Sequence, residues 1–123
     1  MMLVTNQAEL TSTNEALQTF KKDFPTLFKK LMHVVNLTRA LQFNYQYMGC
    51  LLMDEEAEHY TPNFVYGSVL RLYKKEVQNL RDDENYDRIA DFLSHYKKIG
   101  YAKISLLILG HSPETLVGPS SIK

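Results

Sequence analysis

Leu27, Leu31, Val34, Thr38, Leu41, Tyr45, Met48 and Leu52 follow one another at alternating steps of four and three, without a miss. Steps of that kind hold side chains on one face of a helix and scatter them over both faces of a strand. A second row, Phe28, Met32, Val35, Phe43, Tyr47 and Cys50, runs beside the first. Two adjoining rows make an apolar face too wide to leave in water. The segment therefore predicts a central helix from about residue 25 to about residue 53, about 43 Å long at ~1.5 Å per residue. Gly49 is its weakest position, at about 1 kcal/mol relative to alanine.

The remaining chain has the same character. Ser12-Thr13-Asn14-Glu15 fits a capping box that starts a short first helix, with Ala16, Leu17, Phe20 and Phe24 as its apolar face. Pro25 ends that helix, because the residue before a proline avoids the helical region, and Asp23 is placed to cap the central helix. Thr61-Pro62 opens a third helix with the stripe Tyr66, Leu70, Tyr73, Val77 and Leu80. Asp82-Asp83-Glu84 precedes a fourth helix that carries Ile89, Phe92, Leu93, Tyr96, Ile99 and Ile104 and widens to Leu109. Gly110, with Pro113 close behind, stops it. Hairpin signals are missing, and strict alternation never runs far. The expected fold is all-α: an up-down helical bundle of three long helices plus a short N-terminal helix. It forms a single domain over 1–123, with 1–11 and 118–123 frayed. The short connection between the third and fourth helices predicts antiparallel neighbours there.

Composition narrows the function classes. A chain of 123 residues is long enough for one core without staples. The single cysteine, Cys50, excludes an internal disulfide framework and a cysteine-rich zinc site. Fourteen basic and fourteen acidic residues balance, which argues against a protein devoted to the phosphate backbone. The start has no basic n-region and too few apolar residues for a signal-peptide core. The most apolar window, 104–109, is far short of the ~20 residues of a membrane span. A cytoplasmic protein with a reduced thiol and no membrane partner is the expectation.

Four groups of residues bear on chemistry. Glu56 and His59 have the Glu-x-x-His spacing of carboxylate-bridged metal bundles, and Asp91 with His95 is the other acid–imidazole pair on a helix. The acid run Asp54, Glu55, Glu56 and Glu58 reads as a solvated pole beyond the end of the central helix. Arg88 and His95, six residues between them, resemble the Arg-x(4–6)-His signature of HEPN ribonucleases, small helical proteins. The resemblance implies that both residues act on an RNA phosphodiester across a dimer interface. Ile89 departs from the polar residue that commonly follows the arginine. Lysine doublets at 21–22, 29–30, 74–75 and 97–98 sit on different helices; they read as solvated faces, and any basic patch they form is local.

Eight tyrosines and no tryptophan complete the picture. Phe43, Tyr45 and Tyr47 crowd one part of the central helix, and Tyr66 and Tyr73 lie on the next. A three-helix packing cannot cover them all, and surface tyrosine is a preferred interface residue. These residues point to a non-catalytic protein-binding or regulatory module. It self-associates as a homodimer through Phe43, Tyr45, Tyr47, Tyr66 and Tyr73, without cofactor, membrane or nucleic-acid partner. The alternatives are a HEPN-like ribonuclease using Arg88 and His95, and a metal-carboxylate bundle using Glu56, His59, Asp91 and His95.

Overall fold

The computed structural model describes residues 7–43, 45–52 and 68–116, by backbone alone at 46, 47, 50, 51 and 68–70. Helix is the only regular secondary structure among the described residues. These residues form six α-helices, α1 (Gln7–Asp23), α2 (Pro25–Ala40), α3 (Tyr45–Leu52), α4 (Ser68–Arg81), α5 (Tyr86–Tyr96) and α6 (Tyr101–Ile108), with one 3-10 turn at Lys97–Ile99 between α5 and α6 and another at Pro113–Leu116 after α6. The N-terminal helix is not short: at 17 residues, α1 is the longest among the described residues. Residues 53–67, with the expected Thr61-Pro62 helix start, Glu56, His59 and Tyr66, lie outside the described residues.

Helix α1 is already formed at Gln7, so residues 7–11 are helical rather than frayed and Ser12 is not a cap. The reason is Leu10, fully buried, which extends the row Thr13, Leu17 and Phe20 by one turn toward the N-terminus. Inside the helix the Thr13 hydroxyl donates back to the Glu9 carbonyl at 2.8 Å. Pro25 ends α1 as expected: Phe24 is pushed to φ −132°, ψ 65° and becomes the N-cap of α2. Asp23 does not cap it, and no side chain does.

The central helix breaks. Leu41 ends α2, Gln42 takes φ 62°, and Phe43 begins the approach to α3. The Phe43 amide donates to the Thr38 carbonyl and the Gln42 amide to the Arg39 carbonyl, both at 3.0 Å. This is a Schellman stop with glutamine in the place usually held by glycine. The second apolar row announces it, since the member due between Val35 and Phe43 is Arg39. Phe43 packs edge-on to Tyr73 of α4, with ring centroids 5.4 Å apart. Tyr73 in turn has no exposed surface, and its hydroxyl is hydrogen-bonded to that of buried Thr38 at 3.0 Å. The break thus turns aromatic surface inward.

Gly49 lets α3 and α6 approach. A methyl added there would stand 2.5 to 2.7 Å from three ring atoms of Tyr101, including the one nearest its backbone. Helix propensity alone favours Gly49→Ala by about 1 kcal/mol. We expect a net loss of about 1–2 kcal/mol, because the ring cannot swing clear without leaving its rotamer. Urea unfolding checks this, and a more stable variant would contradict the close approach.

Helix α2 packs chiefly on α4, rather than α4 on α5 as the short connection between the latter two predicts. The α4–α5 turn is tied to α2 by Lys30, whose Nζ donates to Asp83 Oδ2 at 2.9 Å. Asp83 Oδ1 also accepts the Asn85 amide at 2.8 Å. The Lys30 hydrogen bond, together with that amide, holds the Asp83 carboxyl below its ordinary value of 3.8. A depressed folded value means that the stabilisation is complete above the unfolded pKa and lost as pH falls through the folded one. Asp83 is 12% exposed and Lys30 37%, so solvent screens the pair. Asp83→Asn should cost about 0.5–1 kcal/mol at neutral pH. The gap to wild type should close in acid, below the normal carboxylate range. A gap that does not narrow at all as pH falls through and below the normal carboxylate range would refute the assignment.

The fourth expected helix is also divided. Gly100, at φ 98° and ψ 142°, separates the 3-10 turn at the end of α5 from α6. Few residues other than glycine adopt that conformation. The stop at Gly110 is where the sequence places it: its amide donates to Leu107 and that of His111 to Leu106, each at 3.0 Å, with Gly110 at φ 103°. The Tyr86 hydroxyl donates to the Leu52 carbonyl and so ties α5 to α3. Leu10, Val34, Leu80, Ile89 and Ile104 meet in one apolar cluster to which α1, α2, α4, α5 and α6 all contribute.

Candidate binding groove between helices α1 and α5

On α5, Arg88, Phe92 and Tyr96 recur at every fourth residue, and Asp91 and His95 do so one position away. Period four keeps each set on one side of the helix. The opposite side, Ile89 and Leu93, is buried in the core. Part of what remains flanks the C-terminal end of α1, where Phe20 and the junction residue Phe24 are also four residues apart.

The two sets meet as a chain of rings. Phe24 lies 5.7 Å from Phe20, Phe20 5.9 Å from Phe92, Phe92 4.8 Å from Tyr96, and Tyr96 4.6 Å from His95, centroid to centroid. Each contact is tilted or edge-on, the geometry that the charge distribution of aromatic rings favours. Phe20 is buried; Phe24, Phe92 and Tyr96 are half-buried, and His95 is exposed. The Arg88 guanidinium sits 5.5 Å from the centre of the Phe24 ring and closes one end of the row.

Two open clefts flank this row and share His95. One, of about 380 Å³, lies among Ala16, Thr19, Phe20, Asp23, Phe24, Arg88, Asp91, Phe92 and His95. The other, also about 380 Å³, is lined by Ala8, Glu9, Ser12, Thr13, His95, Tyr96, Lys98 and Ile99. Lys98 reaches Glu9 across the second cleft at 3.8 Å, an exposed pair of little energetic weight. The groove therefore carries apolar rings along its middle and both signs of charge at its edges.

The structure brings Arg88, Asp91 and His95 together, as their spacing requires, on the wall of a single cleft. Asp91 and Asp23 stand in the same cleft, so a phosphate entering it would meet two carboxylates as well as Arg88. Among the described residues no group of three or more His, Cys, Asp or Glu could hold a metal. Glu56 and His59 fall outside them.

Compared with known proteins, the chain matches no family model, no curated protein and no solved structure.

The aromatic residues expected at an interface are placed differently. Tyr73 has no accessible surface and cannot offer area to a second chain. Phe43 and Tyr45 are half-buried and pack against the core. The side chain of Tyr47, and Tyr66 altogether, lie outside the described residues. Each helix taken alone does not reveal the groove, because Phe20, Phe24, Phe92 and Tyr96 fit core stripes equally well. The signal in the sequence is their count. Two aromatic pairs at four-residue spacing, Phe20 with Phe24 and Phe92 with Tyr96, and His95 beside the second, exceed what one buried stripe per helix needs.

Proposed function

We propose that the chain is a non-catalytic, self-associating helical module, and that the α1–α5 groove is its contact surface. The carrying observation is the row from Phe24 to His95: rings already packed against one another, half-open to solvent. Aromatic rings supply large contact area at small entropic cost. A twofold contact needs a surface that complements itself. This one carries Arg88 beside Asp23 and Asp91 at one end, and Lys98 beside Glu9 at the other. A second copy turned by a twofold axis can set cation against anion. Zero net charge leaves no long-range repulsion between copies.

Amide spectra followed during dilution from about 100 µM, roughly the ceiling for a useful weak dimer, locate the contact. Changes are expected at 16–24 and 88–98. Changes centred on 43–52 instead would restore the face around Phe43 and Tyr45 as the interface.

The ribonuclease reading has one observation in its favour, the shared cleft of Arg88 and His95. With two carboxylates there, we expect no cleavage of single-stranded RNA by the purified protein. Cleavage that disappears in both Arg88→Ala and His95→Ala would replace the binding module with the nuclease.

A further inference from the structure

The lysine doublets at 21–22 and 29–30 lie on different helices, and a basic site requires them to converge. Three of the four lysines do. Lys21 and Lys22 in the last turn of α1, and Lys29 one turn into α2, line one open cleft of about 470 Å³ with Gln18, Pro25 and Phe28. All three are exposed. Lys21 Nζ is held 5.5 Å from the centre of the Phe28 ring. The fourth, Lys30, turns away to Asp83. Among the described residues no acid pairs with Lys21, Lys22 or Lys29. Lys21 and Lys22 suit the negative end of α1, but no carboxylate offsets the mutual repulsion of the three ammonium groups.

We propose that this corner binds an acidic segment of a protein partner, its carboxylates facing the three ammonium groups. Charge complementarity and extent select that occupant. The cluster spans about one helical turn on each side of the α1–α2 corner, enough for two or three carboxylates. It ends there: exposed Asp23 follows Lys22 directly, so no row of cations continues along which a nucleic-acid backbone could run. A membrane surface would need apolar side chains to insert beside the lysines. The large apolar residue left exposed among the described residues is Leu72, 42% accessible, on α4. The site is separate from the α1–α5 groove and does not depend on it.

The test uses the full chain and a fluorescein-labelled peptide of glutamates interrupted by alanines, read by anisotropy. Wild type is expected to bind it more weakly as salt rises from about 50 to about 200 mM. Replacing Lys21, Lys22 and Lys29 together by glutamine should weaken binding about tenfold or more. The same positions changed to arginine should retain it. The Lys74→Gln/Lys75→Gln protein, altered at an exposed pair on α4, should bind within about twofold of wild type. The proposal is overturned by any of three results. One is no binding by wild type up to about 1 mM. The second is equal loss in the α4 control. The third is tighter binding, with the same lysine dependence, of a labelled oligouridylate or of phosphatidylserine vesicles. Unchanged melting of each variant separates loss of the site from loss of the fold.

Discussion

Tyr73→Ala is expected to destabilise the protein by about 3–5 kcal/mol, the range for removing a buried aromatic ring. The ring has no exposed surface, supports Phe43 edge-on, and joins its hydroxyl to Thr38 between α2 and α4. Alanine would leave a cavity at the largest contact of α2 and strip Phe43 of its support. Tyr73→Phe isolates the hydroxyl. It should cost only about 0.5–1.5 kcal/mol, because Thr38 keeps its 2.9 Å hydrogen bond to the Val34 carbonyl. Denaturant titration of both variants distinguishes core from contact surface. A loss under about 1 kcal/mol for Tyr73→Ala would mean that the ring is not buried in solution.

Leu31→Ala and Leu41→Ala should each cost about 2–5 kcal/mol. Both leucines are 2% exposed, one in the middle of α2 and the other at its C-terminal cap. The same unfolding experiment reads them. Leu41 also tests the helix break. It closes α2 just before Gln42, so its loss removes core contacts and loosens the turn that sends Phe43 onto Tyr73. A loss below about 1 kcal/mol at both sites would mark the row as a binding face rather than core.

The helical class is legible from the four-and-three spacing, and most of the buried side chains stand on the rows that spacing defines. Leu27, Leu31, Val34, Leu41, Met48 and Leu52 are all buried. Their continuity conceals the break at Gln42, because the row resumes in phase on α3. A helix stop without glycine or proline leaves only a polar gap, Arg39, as its trace. Gly100 is visible but crossed, since Ile99 and Ile104 flank it with apolar residues that prolong the stripe. The expected start of α1 falls too late because Ser12 imitates a cap while Leu10 is drawn into the core. At the site, spacing correctly puts Arg88, Asp91 and His95 on one face. Which helix that face meets is a tertiary fact. Only the packing of α1 beside α5 turns separate aromatic rows into a single groove, just as tertiary packing turns Tyr73 from surface candidate into core.

Light scattering of the full chain from about 1 to about 100 µM, for wild type and for Phe92→Ala and Arg88→Glu, tests the central claim most directly. Arg88 is exposed, so its reversal leaves the core intact while placing a third acid beside Asp23 and Asp91. The expected result is a mass rising toward twice 14.3 kDa for wild type and remaining at 14.3 kDa for both variants. A wild-type mass of one chain throughout, or a dimer indifferent to both substitutions, would contradict self-association through the α1–α5 groove.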